Sequence, residues 1–580
     1  MFGRGQLQAR SLRASQFFHS TKTRLPTQTV WMSTAGQFRV PKPFNERNRA
    51  FTPSSPERQT LQDALDQLKA QLPVTVPSVI AGSEISESRR GQILTKMPSK
   101  QSQIFAKSAS ATPKDVERAI DAALAAKAEW STTPFNNRAG VFLRAAELVT
   151  GKYRDQLLAS TMLGQGKNAW QAEIDAAAEL ADFFRFNVSF AQEIYERQPE
   201  LIAPGESGRT DWRPLEGFVY AVSPFNFTAI GGNLVSAPAL MGNVVVWKPS
   251  PHSIHASYLV YKILLEAGLP PNVVQFVSGD AREITDIILN HPRFAALHFT
   301  GSSEVFRALH LKVAEGIASN KFVELPRLVG ETSGKNFHLL HHSADIPNAA
   351  KQTIRAAFEY AGQKCSACSR VYVPQSRAEQ FFNEMRAGLE TVRIGPPEQW
   401  ENFAGPVIHK DAFDKISNAI DKANQDADLE NIYGGTYDSS EGLYINPSIY
   451  ISNTPNHELF HKEFFGPVLV AYIYPDDKFE ETLELVDNHG GGFALTGSVF
   501  ASDRMAIALA EEKLRYSAGN FYTNSKTTGA VIGQQSFGGG RSSGTNDKAG
   551  SVSLVQRFAS PRTLKEDFKT LDSVLYPSNQ

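Results

Sequence analysis

Short runs of β-forming residues alternate with helical stretches between residues 217 and 340, and this alternation constrains the fold more than any other feature of the chain. The order strand, helix, strand builds parallel βαβ units, whose ligands bind beyond the carboxyl ends of the strands. The sequence therefore predicts an α/β fold with a crevice along one edge of a parallel sheet. The strands are predicted at residues 218–222, 244–247, 273–277, 296–299 and 336–340.

Loops that could hold a ligand follow three of these predicted strands. Asn226 lies in the loop after the first strand, and Lys248 and Ser250 follow the second. Gly301 and Ser302 follow the fourth strand and open a helix, whose N-terminus favours phosphate groups. The Gly-x-Gly-x-x-Gly fingerprint of many dinucleotide sites is missing from this region. Each loop also has an ordinary explanation, because Gly-Ser often only caps a helix and a lone lysine is usually solvated.

The composition excludes several classes of protein. Lys and Arg together number 59 and Asp and Glu 60, so no strong electrostatic field favours nucleic acid or anionic lipid. No stretch of about 18 apolar residues occurs, so we expect no membrane span. A length of 580 residues exceeds a single hydrophobic core and predicts at least two domains. Two cysteines exclude a disulfide scaffold and fit a reducing compartment.

Both cysteines lie in one short motif, GQKCSACSR, at residues 362–370. Cys365 follows Glu331 by 34 positions, and a thiol with a carboxylate suggests a nucleophile with a general base. Cys365 and Cys368 also form a C-x-x-C pattern, which is typical of a redox pair, half of a zinc site or two buried thiols. No second pair of zinc ligands follows at a suitable spacing, so we expect no metal. The residues alone leave redox exchange and inert thiols open.

The first 45 residues differ from the rest of the chain because they contain no Asp or Glu. An acid-free, Arg-rich segment with scattered serines and apolar residues is typical of a mitochondrial transit peptide, and we expect delivery to the mitochondrial matrix. A disordered basic tail is the alternative, because composition alone does not distinguish such a tail from a targeting signal. The basic residues are Arg4, Arg10, Arg13, Lys22, Arg24, Arg39 and Lys42.

After about residue 46 the chain carries seven motifs in order: SPFNF, VVWKPS, FTGS, VGETSGK, GQKCSACSR, KEFFGPV and SFGGGRSSGTND. Together they resemble the aldehyde dehydrogenase superfamily. The resemblance implies its fold, with a Rossmann-type cofactor domain, an α/β catalytic domain and a small β oligomerisation flap, and at least a dimer. The implied divisions are a transit peptide and arm at 1–45, the cofactor domain at 46–196 and 216–333, the oligomerisation hairpin at 197–215, the catalytic domain at 334–548, and the C-terminal strand and tail at 549–580.

The resemblance gives catalytic roles to three residues. Cys365 is expected to attack the aldehyde carbon as a thiolate, and Glu331 to activate the water that releases the acid from a thioester. Asn226 is expected to stabilise the oxyanion together with the backbone N–H of the cysteine. Without the other motifs, an Asn in a turn or a Glu before Thr-Ser-Gly would more often serve only the local backbone.

The cofactor implied by the resemblance is NAD. Pro251 stands where many relatives carry an acid that grips the ribose hydroxyls, so the preference for NAD over NADP remains open. The expected cofactor site consists of Lys248, Ser250, Gly301, Ser302, Glu463 and Phe465.

The longer strings FEYAGQKCSACSR and GNFYTNSKTTGAVIGQQSFGG resemble one subgroup of the superfamily, which oxidises L-glutamate γ-semialdehyde to L-glutamate in the second step of proline degradation. The resemblance places the α-carboxylate of this small molecule on an anchor loop at Gly529 and Ala530, with Ser366 nearby. Phe225 and Phe537 would flank its aliphatic part, although both could equally be core aromatics. Another semialdehyde dehydrogenase or a general aldehyde dehydrogenase is the alternative.

Overall fold

Two seven-stranded sheets form the centre of the computed structural model, which describes residues 38–88 and 90–580. In the first sheet five strands run parallel and two antiparallel strands extend one edge. The predicted leader falls almost entirely outside the described residues. In spatial order, the strands of this sheet are Arg327–Glu331, Phe294–Thr300, Phe218–Val222, Val245–Lys248, Val274–Phe276, Ser78–Ile80 and Ser83–Ile85.

The predicted alternation is confirmed for the first four strands, each within two residues of its predicted bounds. The fifth predicted strand, Asn336–Leu340, is also present but lies in the second sheet. The strand Arg327–Glu331 was not predicted. Its five residues include Arg, Gly and Glu, and it becomes a strand by pairing in parallel with Phe294–Thr300 at the edge of the sheet.

The second sheet contains six parallel strands and one antiparallel edge strand. Its central strands are largely buried, as expected for a parallel sheet covered on both faces. In spatial order, the strands are Leu429–Tyr433, Ser448–Ser452, Val468–Tyr474, Cys368–Pro374, Asn336–Leu340, Thr496–Phe500 and Asn520–Thr523.

Helices cover both sheets, and residues 40–580 form one compact unit. No helix among the described residues combines the length and the apolar composition that crossing a membrane requires. The helices are Pro56–Ala70, Pro113–Trp130, Phe135–Thr150, Arg154–Gln165, Ala169–Ala172, Leu180–Glu196, Thr228–Leu240, Ile254–Glu266, Ala281–Asn290, Ser303–Ala318, Ile346–Phe358, Gln375–Glu390, Lys410–Gln425, Phe479–Asn488, Arg504–Lys513 and Val552–Gln556, and a π-helical segment, Glu173–Glu179, lies between two of them.

Smaller β elements complete the fold. The segment predicted as a hairpin at 197–215 contributes one strand, Glu206–Arg213, which pairs antiparallel with Ser560–Asp567 in a two-stranded ribbon. The hairpin prediction is therefore corrected, because the partner strand comes from the C-terminal region and not from a local turn. The remaining strands form a three-stranded sheet of Val74–Val76, Lys100–Ala109 and Gln92–Met97, and a pair formed by Tyr437–Asp438 and Tyr444–Ile445.

Candidate active site

The parallel strands of the first sheet end in register at one edge. Val222 pairs with Lys248 on one side and with Phe299 on the other. Thr300 pairs with Glu331 on the next strand. The loops that follow these strands therefore lie side by side, as the predicted crevice requires. Glu331 lies at the same edge, because it is the last residue of the strand Arg327–Glu331, which was not predicted.

The nucleophile loop, residues 359–367, leads into the second sheet and is held by one asparagine. The amide of Asn336 donates to the carbonyl oxygens of Cys365 at 2.7 Å and of Ala367 at 2.8 Å. Its side-chain oxygen accepts from the backbone N–H groups of Leu495 and Thr496, both at 3.0 Å. The first two bonds hold the loop and the other two fix Asn336 to the start of the neighbouring strand Thr496–Phe500, so the thiol lies on a fixed backbone.

Three consecutive residues at the start of this loop have left-handed backbone angles. Tyr360 has φ 54°, Ala361 has φ 52° and Gly362 has φ 68°. The two non-glycine residues cost about 1 kcal/mol or more each in this region. The Tyr360 hydroxyl donates to the carbonyl oxygen of Gln165 at 2.8 Å, which helps to hold the turn. A Cβ on Gly362 would lie 2.5 Å from the carbonyl oxygen of Gly466, so only glycine fits.

Asn226 reaches the nucleophile loop from the first sheet. Its amide donates to the carbonyl oxygen of Gln363 at 3.1 Å, two residues before Cys365. Gln363 is itself fixed, because its side chain donates to the carbonyl of Pro406 at 3.2 Å and accepts from the N–H of Ile408 at 2.8 Å. The structure thus brings the predicted oxyanion donor next to the predicted nucleophile.

The π-helical segment Glu173–Glu179 fixes the loop that carries Asn226. Asp175 accepts hydrogen bonds from the backbone N–H groups of Thr228 at 3.0 Å and Ala229 at 2.8 Å, at the start of the next helix. Lys167 pairs with the same carboxylate at 2.8 Å, and both side chains are fully buried. A buried carboxylate with these partners makes the position of the loop rigid.

Glu331 is held at the crevice by a glycine-rich segment. One carboxylate oxygen accepts from the N–H of Gly539 at 2.9 Å, and a Cβ on Gly538 would lie 2.7 Å from the other. Burial raises the pKa of Glu331 to about 8, while the Gly539 bond and the charge of Lys548 oppose the shift. A carboxyl with this pKa can exchange a proton near neutral pH, as a general base must.

The thiol of Cys365 is protonated in this environment. Burial raises its pKa to about 12, and the negative charges of Glu331, Glu463 and Glu179 add to the shift. All three charges act in the same direction, toward the protonated thiol. Attack by this sulfur therefore needs a base to take its proton, or a positive charge bound nearby.

Glu179 was not among the predicted site residues. It ends the π-helical segment, and burial together with the charge of Asp175 raises its pKa to about 8. The signal was present in the sequence, where Glu173, Asp175 and Glu179 interrupt a run of otherwise apolar residues. Acids in an apolar helical run need partners or a function, but nothing in the run indicates that this one turns toward Cys365.

Four predicted cofactor residues lie at the edge of the first sheet. Lys248 is 8% exposed, and burial lowers its pKa to about 8. Within the described part of the chain its ammonium group makes no hydrogen bond or ion pair. Ser250 caps a short turn by accepting from the N–H of His252, and Ser302 caps the helix Ser303–Ala318 through Val305, both at 3.3 Å. Gly301 continues the strand before that helix.

Glu463 and Phe465 lie between the nucleophile loop and the strand Val468–Tyr474. Burial raises the pKa of Glu463, whereas hydrogen bonds from the Ser333 hydroxyl and the Gly334 N–H lower it. The contact from Ser333 was not predicted from the sequence. Phe465 has φ 58°, which turns the chain sharply after Glu463.

Phe225 lies beside the predicted cofactor residues. Its ring meets Phe465 edge-on at 5.9 Å between centroids and His409 at 6.3 Å. Phe227, two residues later, lies under the ammonium group of Lys167 at 3.9 Å. Phe537 is half-buried on the glycine-rich segment. The contacts of Phe225 do not place it opposite Phe537, so the expected pair of flanking rings stays a prediction.

The predicted anchor loop reaches the nucleophile loop through its lysine. Lys526 lies three residues before Gly529, and its ammonium group donates to the carboxylate of Glu359 at 3.0 Å. Gly529 has φ 96°, and Ala530 follows it. Ser366 is 7% exposed beside the nucleophile. Among the described residues no cluster of three or more His, Cys, Asp or Glu side chains is arranged to hold a metal ion.

Comparison with known proteins agrees with this geometry. Residues 85–563 match the aldehyde dehydrogenase family. The chain is 54% identical over 551 residues to the mitochondrial Δ1-pyrroline-5-carboxylate dehydrogenase of Emericella nidulans, covering 94% of this chain and 96% of the relative. It is 45% identical over 536 residues to the mitochondrial enzyme of that name from Homo sapiens, covering 92% and 94%. The crystal structure of the Mycobacterium tuberculosis Δ-pyrroline-5-carboxylate dehydrogenase bound with NAD superimposes with a TM-score of 0.90 at 44% identity, covering 94% of this chain and 99% of that one.

Proposed function

The chain belongs to the aldehyde dehydrogenase family, and we propose that it oxidises L-glutamate γ-semialdehyde to L-glutamate with NAD, the second step of proline degradation. The observation that carries the proposal is the convergence of Cys365, Glu331 and Asn226 from two sheets on one crevice. The names of the relatives supply the substrate and the cofactor. These three side chains are a nucleophile, a base and an oxyanion donor, which is the set that thioester chemistry needs.

The proposed reaction begins with attack of the Cys365 sulfur on the aldehyde carbon. Because the thiol is protonated at rest, Glu331 takes its proton as the carbon–sulfur bond forms. The aldehyde oxygen then carries negative charge. The amide of Asn226 and the backbone N–H of Cys365 donate hydrogen bonds to that oxygen.

The second half of the reaction releases the acid. NAD, when bound, accepts the hydride that leaves the former aldehyde carbon, and a thioester on Cys365 remains. Glu331 first releases to solvent the proton that it took from the thiol, and it then takes a proton from water while the water oxygen attacks the thioester carbon. The carbon–sulfur bond breaks, the carboxylic acid leaves, and the sulfur takes back a proton from Glu331, which restores the resting thiol and carboxylate.

The residues at the edge of the first sheet fit NAD by their chemistry. Lys248 is a buried ammonium group that makes no hydrogen bond or ion pair with any described residue, which suits a ribose hydroxyl. Ser302 marks the N-terminus of a long helix, where pyrophosphate is favoured. Ser250 and Gly301 lie on the same loops, and Glu463 with Phe465 is proposed to hold the nicotinamide ribose beside Cys365.

The anchor loop at Gly529 and Ala530 is proposed to bind the α-carboxylate of the substrate, with Ser366 beside it. Gly529 has φ 96°, so the chain turns there in a conformation that favours glycine, and backbone N–H groups suit a carboxylate. Phe225 and Phe537 are proposed to flank the aliphatic part of the substrate. The buried carboxyl of Glu179 near the thiol offers an acceptor for the substrate's ammonium group.

NADH formation by the purified protein tests this function. We expect L-glutamate γ-semialdehyde to be oxidised with a higher kcat/KM than butanal, which lacks a carboxylate. Cys365→Ala should abolish NADH formation, whereas Cys368→Ala, at a buried thiol that donates to the Arg370 carbonyl, should retain much of it. A wild-type preference for butanal would contradict the proposal. Equal loss in both variants, with reductant-dependent activity in the wild type, would instead indicate a redox pair.

The relatives from Emericella nidulans and Homo sapiens are mitochondrial proteins. The acid-free leader, residues 1–45, is proposed to direct this chain to the mitochondrial matrix. Fused to a fluorescent reporter, the leader should carry the reporter into mitochondria. A diffuse cytosolic signal would contradict that role.

The ribbon formed by Glu206–Arg213 and Ser560–Asp567 is proposed to pack on a second copy of the chain in at least a dimer. A two-stranded ribbon is marginally stable in water by itself. Large apolar side chains around it are exposed, which supports a covering partner. They are Leu201, Phe568, Leu571, Val574, Leu575 and Tyr576.

A further inference from the structure

A buried carboxylate connects the nucleophile loop with the anchor loop. Glu359 accepts hydrogen bonds from Lys364 at 2.9 Å and from Thr528 at 3.3 Å. Lys526 donates to both of its oxygens, at 3.0 and 3.1 Å. The side chains of Glu359 and Lys364 are 6% and 8% exposed, and that of Lys526 is 22% exposed. We call this set the Glu359 cluster.

The members of the Glu359 cluster lie next to the predicted nucleophile and the predicted anchor loop in the sequence. Glu359 follows the helix Ile346–Phe358 and opens the turn that leads to the nucleophile. Lys364 directly precedes Cys365, and Thr528 directly precedes Gly529. One carboxylate therefore sets the distance between the thiol and the backbone N–H groups of the anchor loop.

The charges of the cluster do not cancel. Two lysines face one carboxylate, and the guanidinium group of Arg355 acts on Lys526 with the same sign. The lysines hold the pKa of Glu359 at about 2, so it stays ionised at every working pH. The ammonium group of Lys526 would lie 3.7 Å from a Cβ on Gly529. The surplus positive charge is thus beside the loop proposed to take a carboxylate.

We infer that Glu359 is a positioning residue for substrate choice, which holds Lys526 and the anchor loop at a fixed distance from Cys365 so that aldehydes bearing a carboxylate are selected. The inference rests on the proposed function of the anchor loop. Neither Glu359 nor Lys526 takes part in the proposed chemical steps on the thiol. Their removal should therefore affect recognition of the carboxylate much more than reaction with a simple aldehyde.

Two substitutions test this role. Glu359→Gln keeps the shape of the side chain and removes its charge. Lys526→Met removes the ammonium group and leaves the pair of Glu359 and Lys364 neutral and intact. Each variant is expected to raise KM for L-glutamate γ-semialdehyde about tenfold or more, as for loss of a charge-assisted hydrogen bond. For Lys526→Met, kcat/KM with butanal should stay within about twofold of wild type, and the affinity for NAD should not change.

The matched control is Lys351→Met, which removes an exposed lysine from the helix before Glu359. It should leave KM for both aldehydes at the wild-type value. The double variant Glu359→Gln/Lys526→Met should be no worse than the more damaged single variant, because both act through one contact. If Glu359→Gln does not fold, Lys526→Met still tests the inference.

Equal loss of kcat/KM for both aldehydes in Lys526→Met would overturn the inference, since it would show a general structural effect. Wild-type KM for the semialdehyde in both single variants would overturn it as well. In either case the function stands if the wild type prefers the semialdehyde. A wild type that prefers butanal would overturn the proposed function itself, and the inference with it.

Discussion

Single residues set the proton chemistry of this site. Cys365 lies near three carboxyl groups, and its thiol has a pKa of about 12. The carboxyl of Glu331 has a pKa of about 8, because its burial outweighs the Gly539 hydrogen bond and the charge of Lys548. In the proposed reaction Cys365 therefore stays a thiol until Glu331 takes its proton, and a carboxyl with this pKa is able to do so around neutral pH.

This arrangement predicts a pH dependence that belongs to Glu331. The base works only when ionised, so the rate should rise as pH increases through about 8. Glu331→Gln should lower kcat by about 10²- to 10⁴-fold and remove that rise. Initial rates of NADH formation between about pH 6 and 9 measure both effects. An unchanged pH profile in the variant would show that another group is the base.

Helices and strands place these residues, and the loops between them have backbone conformations as specific as those of the strands. The nucleophile loop has three left-handed residues and is held by Asn336 and Gln363. The anchor loop turns at Gly529 with φ 96°. A β-branched residue is strained in this region of backbone angles, so the two loops depend on glycine at specific positions.

Gly529→Val should therefore damage substrate recognition first. The strained backbone moves the N–H groups proposed to hold the carboxylate, and we expect KM for the semialdehyde to rise about tenfold or more. NAD affinity, which is proposed to depend on Lys248 and Ser302 at the other sheet, should barely change. Gly91→Val is the matched control. Gly91 also has a left-handed backbone, with φ 85°, but a Cβ there would meet no other atom within 4 Å and the residue lies outside the site loops. Wild-type efficiency in Gly529→Val would contradict the role of the loop.

The whole molecule places the carboxyl edge of one parallel sheet against the nucleophile loop of the other. The hydrogen bond from Asn226 to Gln363 joins these two edges directly. The ribbon of Glu206–Arg213 and Ser560–Asp567 contributes to neither sheet. The exposed apolar side chains that flank it in the sequence support the proposal that it packs on a second copy of the chain.

We accordingly expect the full chain to behave in light scattering as a dimer or a larger assembly. A chain ending at residue 559 lacks the ribbon strand Ser560–Asp567 and the apolar tail, and it should have the mass of a monomer. Circular dichroism of the shortened chain checks that the two large sheets persist. A monomeric full-length protein, or an assembly unaffected by the truncation, would contradict the proposed role of the ribbon.

The sequence by itself determined the parallel α/β fold, because alternating apolar runs specify which strands are buried on both faces. It also predicted catalytic roles for Cys365, Glu331 and Asn226, because their ordered motifs resemble a known family. Tertiary structure decided which distant groups meet. The sheet edge at Arg327–Glu331, the ribbon partner Ser560–Asp567, the approach of Glu179 to the thiol and the Glu359 cluster all join residues far apart in the chain. Burial and charge at such contacts depend on packing in three dimensions, which local residue patterns do not encode.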